Sequence, residues 1–248
     1  MREDDPTTVD DAHRYPLFLD LRGREALVVG GTRAALGKVR RLHEAGAAVR
    51  IVAPRLHTVF AAWLEAELGG RNGRRAGTLR HLPRRWRESD LDGARLVVAA
   101  SGERTLDAEV ARAADARGLF VNVANAPTAS SALVPSQIVR GPLRVAVSSG
   151  GSSPALARLL SARIEAFLPP TWHDLGALAA RYASRVATRL SGRRRRRRFW
   201  EARLNGRVGN LALQGRVAEA EKALEEAIER HDSRAPEGEV WLVGAGPG

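Results

Sequence analysis

The sequence predicts an α/β protein, a parallel sheet with helices on both faces, followed by a smaller all-helical part. Three observations carry this. Short β-branched runs alternate with amphipathic stretches over the first 150 or so residues. A glycine pair, Gly30-Gly31, directly follows the first such run. After Ser149 the strand-like runs stop and helical patterning takes over. Strands alternating with helices are the pattern of βαβ units, whose parallel strands are buried on both faces.

EALVV (25–29) is the first strand, and the helix after it runs to about Ala45, where Gly46 stops it. AVRIV is the second strand, with 49–52 at its core, and Pro54 and an amphipathic helix near 58–68 follow. TLRHL (78–82) is a weaker strand, and RLVVAAS (95–101) a buried one that leads into a helix over roughly 105–117. LFVNV (119–123) and LRVAVSS (143–149) complete the series. In SSGGSSP, Ser153 is placed as an N-cap and Pro154 at the first helical position. From there to about Arg230 the pattern is helical, with breaks near Pro169-Pro170, Ser191-Gly192 and Gly206.

Composition narrows the chemistry. The chain has 248 residues and no cysteine, which excludes disulfides, thiolate metal sites and a cysteine nucleophile. None of the six histidines (His13, His43, His57, His81, His173, His231) pairs with another at i, i+3 or i, i+4, so no metal-binding residues are predicted. No apolar run approaches the roughly 18 residues that cross a bilayer, and the acidic opening MREDDPTTVDDA is unlike a secretory signal. A cytoplasmic protein without membrane partners is the default expectation. Most of the net charge of +12 lies between Arg181 and Arg216, where twelve arginines face one acid, Glu201. Such a block fits an anionic partner or a solvated face.

The chemistry-bearing segment is VVGGTRAALGK, placed after the first strand and opening a helix. A Rossmann phosphate turn has glycine at two motif positions and glycine or alanine at the third. Those positions are Gly30, Thr32 and Ala35 here. The helix start adds partial positive charge for a pyrophosphate.

Taken in order, YPLFLDLRGREALVVGG, LHEAGAAVRIVAP, RLVVAAS, FVNVANAP, LVPSQIVRGPLRVAVSSGGSSPALARLL and RRRRFWE resemble the N-terminal half of siroheme synthases and the free-standing precorrin-2 dehydrogenases. The closing EVWLVGAGPG resembles the start of a uroporphyrinogen-III methyltransferase domain, so a further domain is expected after it. The resemblance implies NAD-dependent oxidation of precorrin-2 to sirohydrochlorin, then insertion of ferrous iron (a substrate, not a resident metal), in a homodimer. It implies a Rossmann-like domain over 1–134, a dimerisation and substrate-loop segment over 135–168, a small helical domain over 169–232, and a linker with the truncated methyltransferase start over 233–248. Cofactor contacts are implied at Gly30, Gly31, Thr32, Arg33, Ala34, Pro54, Arg55 and Ser101. The tetrapyrrole, with its eight carboxylates, is assigned to Ser148, Ser149, Gly150, Gly151, Ser152 and Ser153. Ser149 is the position that the family phosphorylates.

Three features depart from the family pattern, the second only mildly, since the family itself often lacks the acid. Thr32 replaces its middle glycine, and a β-carbon there is expected to push the pyrophosphate outward or change the turn. The second strand does not end in Asp or Glu, and Arg33 and Arg55 leave NADP open. Asn125 stands where the family carries its proposed catalytic aspartate, and an amide is not a useful base. Asp107 is the substitute candidate. A tetrapyrrole- and dinucleotide-binding module without catalysis is therefore the alternative. The arginines at 181, 185 and 189 line one helix face, either solvated or turned to tetrapyrrole carboxylates. A nucleic-acid reading of Arg193–Arg198, with Phe199 and Trp200 as stacking groups, is disfavoured because no nucleic-acid motif accompanies it; these two aromatics are expected to pack between helices. Trp63, Trp86 and Trp172 are read as packing or surface residues.

Overall fold

A computed structural model describes residues 14–70 and 77–232. By contact the described residues form two compact units, one of those up to 135 with 148–157, the other of 136–147 and 158–232.

The first unit is built on five parallel strands: β1 (Glu25–Val29), β2 (Ala48–Val52), β3 (Leu79–Leu82), β4 (Leu96–Ala99) and β5 (Phe120–Val123), in the order β3-β2-β1-β4-β5. Three helices connect them, α1 (Arg33–Glu44), α2 (Thr58–Leu68) and α3 (Arg104–Asp115). The near-continuous apolar strands are explained by the two cores. Ala26 and Val28 of β1 join Leu36 and Val39 of α1 and Phe60 and Leu64 of α2 on one face. Leu27 and Val29 join Val110, Ala111 and Ala114 of α3 on the other. Each alternate side chain of β1 thus has its own core, as a doubly covered sheet requires. Trp63 packs against the first core, edge-on to His43 at 6.1 Å between ring centroids, with the Arg40 guanidinium over its ring. Trp86 packs against the second core and Trp172 against the helical core described next.

In the second unit, β6 (Ser136–Arg140) and β7 (Leu143–Val147) form an antiparallel hairpin. This corrects the expectation that LRVAVSS completes the parallel sheet. Its partner strand SQIVR carries one buried residue, Ile138, and too little alternation to be read beforehand. The helices are α4 (Pro154–Phe167), whose first turn belongs to the first unit, α5 (Trp172–Arg189), α6 (Arg193–Leu204), α7 (Arg207–Leu213) and α8 (Val217–Asp232). The breaks fall at the Pro169-Pro170, Ser191-Gly192 and Gly206 positions. One more, at Gln214–Arg216, follows from Gly215 at φ +76°. Leu175, Leu178, Tyr182 and Val186 form the inner stripe of α5 and meet Phe199, Leu211, Leu224 and Ile228. Phe199 and Trp200 pack together here, so neither is a free stacking platform.

Two arginines of the α5 stripe pair with acids of α8. Arg181 pairs with Glu221 of α8 at 2.7 Å, and Arg185 reaches Glu225 at 3.5 Å and Glu229 at 3.7 Å. The Tyr182 hydroxyl donates to Glu225 at 2.7 Å and to Glu221 at 3.0 Å. Burial and these bonds hold its pKa above the ordinary phenol value. For Arg181 and Arg185 these ion pairs favour the solvated reading of the face. The linker and methyltransferase start at 233–248 lie outside the described residues.

Candidate functional site

The strand order reverses between β1 and β4, which places a crevice at the carboxyl ends of the strands, the usual ligand position in open α/β sheets. Gly30 turns sharply there at φ +131°, and a β-carbon on it would lie 2.2 Å from the Ala100 carbonyl oxygen. A β-carbon on Gly31 would lie 2.0 Å from the carbonyl oxygen of Arg55, and the Gly31 carbonyl accepts a hydrogen bond from His57 N at 2.7 Å. Both glycines are therefore fixed by close backbone approach. Together they bring the turn after β1, the loop after β2 and the end of β4 to one corner.

Thr32 solves its own steric problem. It caps α1, with its hydroxyl accepting from Ala35 N at 3.1 Å and donating to the Ala100 carbonyl at 2.9 Å. The side chain folds toward the strand ends and ties the turn to the residue after β4. The N–H groups of Arg33 and Ala34, first in a twelve-residue helix, make no hydrogen bond among the described residues. Two free donors at a helix start suit a pyrophosphate, so the residues present fit a dinucleotide.

Ser101 and Asp107 form one unit after β4. Asp107, 7% exposed, accepts from Ser101 N at 2.9 Å and from the Ser101 hydroxyl at 2.7 Å. The Ser101 hydroxyl also accepts from Glu103 N at 3.0 Å. The Asp107 carboxylate thus fixes the β4 exit, an arrangement that favours a positioning role over a free base.

Asn125 follows β5, exposed, at φ +61°. Its loop is heavily stitched. The Ser130 hydroxyl accepts from Val123 N at 2.9 Å and donates to the Ala126 carbonyl at 2.9 Å. Asn122 Nδ2 donates to the Ala132 carbonyl at 2.9 Å, and the Arg14 guanidinium donates to the carbonyls of Pro127 and Ser130. Asn122, Ser130 and Arg14 were not singled out in the sequence, since nothing in local spacing marks a loop staple.

The serine loop lies beside this one. A β-carbon on Gly151 would sit 2.5 Å from Pro127 Cβ, so residues 148–153 and 125–127 are neighbours. Within the loop, Gly150 N donates to the Ser148 hydroxyl at 3.0 Å and Ser153 N to the Ser149 hydroxyl at 3.1 Å. Ser152 Oγ donates to the Ser149 carbonyl, and Ser153 Oγ accepts from Leu156 N at 3.2 Å, the N-cap of α4. Among the described residues, no group of three or more His, Asp or Glu side chains could hold a metal, and no helix is long and apolar enough to cross a membrane.

Sheet order, glycine turn and free helix-start donors define a dinucleotide-binding protein of the Rossmann class. Comparison with known proteins is more specific. Residues 17–136 match a family described as NAD(P)-binding, 140–166 the sirohaem biosynthesis protein central family, and 171–228 the sirohaem synthase dimerisation region. A siroheme synthase of Pseudomonas aeruginosa is 46% identical over 94% of this chain and 48% of its own length. That of Nitrosococcus oceani is 44% identical over 94% of this chain and 47% of its own. The solved structure of the precorrin-2 dehydrogenase SirC superposes with a TM-score of 0.65 at 22% identity, covering 88% of this chain and all of that one, and shares the fold. The chain matches siroheme synthases over nearly all of its own length, and spans about half the length of the curated relatives it matches.

Proposed function

We propose that this chain oxidises precorrin-2 to sirohydrochlorin with a nicotinamide dinucleotide and then admits ferrous iron as substrate to give siroheme. The observation that supports this best is one edge of one unit holding three parts: the glycine turn with its free Arg33 and Ala34 N–H groups, the Asn125 loop, and the serine loop resting on Pro127. Helix-start N–H groups hold the pyrophosphate, and the bound nicotinamide supplies a hydride acceptor. Ser148–Ser153 present hydroxyls and backbone N–H groups to carboxylates of the macrocycle. Asn125 orients the macrocycle by hydrogen bonding. The proton released with the hydride passes to water or a substrate carboxylate, because the amide accepts none. The matched dimerisation region supports a homodimer.

The second reading is a binding module that holds both ligands without chemistry, and Asn125 is the observation in its favour. Turnover separates the two. Precorrin-2 and the dinucleotide give slow formation of reduced cofactor at its absorbance band. Asn125→Asp raises the rate by about 10²-fold, the lower range for a general base. Absence of any reduced cofactor from the folded chain, with both ligands bound, leaves the binding module.

A further inference from the structure

The arginine run that opens α6 stands at the unfavourable end of its helix. Arg193–Arg198 fill the first turn and a half, and the first turn holds no acid. Cations at a helix N-terminus oppose the macrodipole, and like charges at i, i+3 and i, i+4 repel. The stretch from Leu175 to Trp200 contains no Asp or Glu, and α7, which packs on α6, contains none either. Phe199, 3% exposed, and Trp200 hold the helix in the core of the helical unit. Arg193, Arg194, Arg197 and Arg198, at i, i+1, i+4 and i+5, therefore share the opposite, outward face, and all four are exposed. The acid on that face is Glu201, which accepts from Arg197 Nε at 2.7 Å. The side chains of Arg193 and Arg195 make no hydrogen bond or ion pair among the described residues. Local rules broken together, with no gain in packing, are the mark of a functional surface.

We infer that the outward face of α6 binds carboxylates of the tetrapyrrole, as a second docking site contained in the helical unit. The inference rests on the tetrapyrrole reading given above and adds a second place for the macrocycle, built from other residues. Guanidinium groups suit the task because they are always charged and their planar fork matches a carboxylate. The ligand's negative charge also relieves the repulsion within the run. The run rises about 9 Å along the helix, a length that fits a compact polyanion. A nucleic acid uses a longer basic track and stacking groups, and Phe199 and Trp200 are packed against each other in the core.

Calorimetric titration of the full chain with uroporphyrin I, a stable octacarboxylate macrocycle, tests it. A second macrocycle binds per chain, more weakly than the one at the serine loop. Its affinity falls at least about tenfold from low to high salt, since exposed charge pairs are screened. Arg193→Gln/Arg194→Gln/Arg195→Gln removes the second macrocycle and keeps the first. The same three positions changed to lysine restore part of the affinity, because lysine keeps the charge without the fork. Glutamine preserves helix propensity, thermal melting checks that the variants fold, and the wild-type stoichiometry and salt dependence stand without them. A single macrocycle per chain, or a second one unmoved by the glutamine variant, overturns the inference and leaves the serine-loop reading intact. A short DNA duplex that displaces the second macrocycle and binds more tightly than it also overturns the inference, and assigns the face to nucleic acid. Failure of uroporphyrin I to bind at all overturns the tetrapyrrole reading itself, and the inference with it.

Discussion

Asn125 is the non-glycine residue that the described chain holds at positive φ, +61°. Asparagine and aspartate tolerate this region, because their short polar side chains bond locally, whereas other side chains strain there. Asn125→Ala therefore lowers stability by about 1 kcal/mol, measured by chemical denaturation, while Asn125→Asp leaves it nearly unchanged. Gly30 and Gly31 have no such latitude. Either glycine to alanine forces backbone apart at 2.2 or 2.0 Å, so dinucleotide affinity and melting temperature fall together. The glycine turn was legible in the sequence because steric exclusion acts locally. The fate of Thr32 was not, since its hydroxyl is committed to the Ala100 carbonyl, 68 residues away. The hydrogen bonds of Asp107 were hidden for a related reason. An acid near a helix start looks available until its partner, the Ser101 turn, is seen.

Single elements show where periodicity suffices. β1, α2 and the helix breaks after α4, α5 and α6 were legible because each carries its own stop signal, a glycine, a proline or a change of period. β7 was assigned to the wrong sheet, since a strand's alternation does not say which strand it pairs with. The arginines of α5 were hardest to read, because their partners lie on α8, forty residues on. Arg84 and Asp90 make a similar tie beside the short 3₁₀ turn Glu88–Leu91. Asp90, 3% exposed, accepts from Arg84 at 2.5 and 2.8 Å and from Arg87 N at 2.9 Å. The guanidinium holds its carboxyl below the usual carboxylate range. A depressed folded-state pKa contributes stability that is full above the unfolded value, near 4, and is lost as pH falls through the folded value. Asp90→Ala removes about 2 kcal/mol at neutral pH and flattens the acid limb of the stability curve below about pH 4. An unchanged acid limb, followed by urea unfolding at several pH values, contradicts this assignment.

For the whole molecule, α4 carries an exposed apolar face. Leu156, Leu159, Leu160 and Phe167 are 57%, 52%, 46% and 82% exposed. A stripe of this kind on a globular chain marks an interaction face, and the proposed homodimer covers it. Leu159→Glu/Leu160→Glu then shifts light-scattering mass from dimer to monomer without unfolding the sheet. A variant that stays dimeric removes α4 from the interface. The central claim, that one edge of the sheet serves both ligands, is tested most directly by a crystal structure of the chain with dinucleotide and sirohydrochlorin. The pyrophosphate is expected on the N–H groups of Arg33 and Ala34, and macrocycle carboxylates on residues 148–153 with a ring edge facing Asn125. A macrocycle bound away from the serine loop, or a dinucleotide away from the glycine turn, contradicts it.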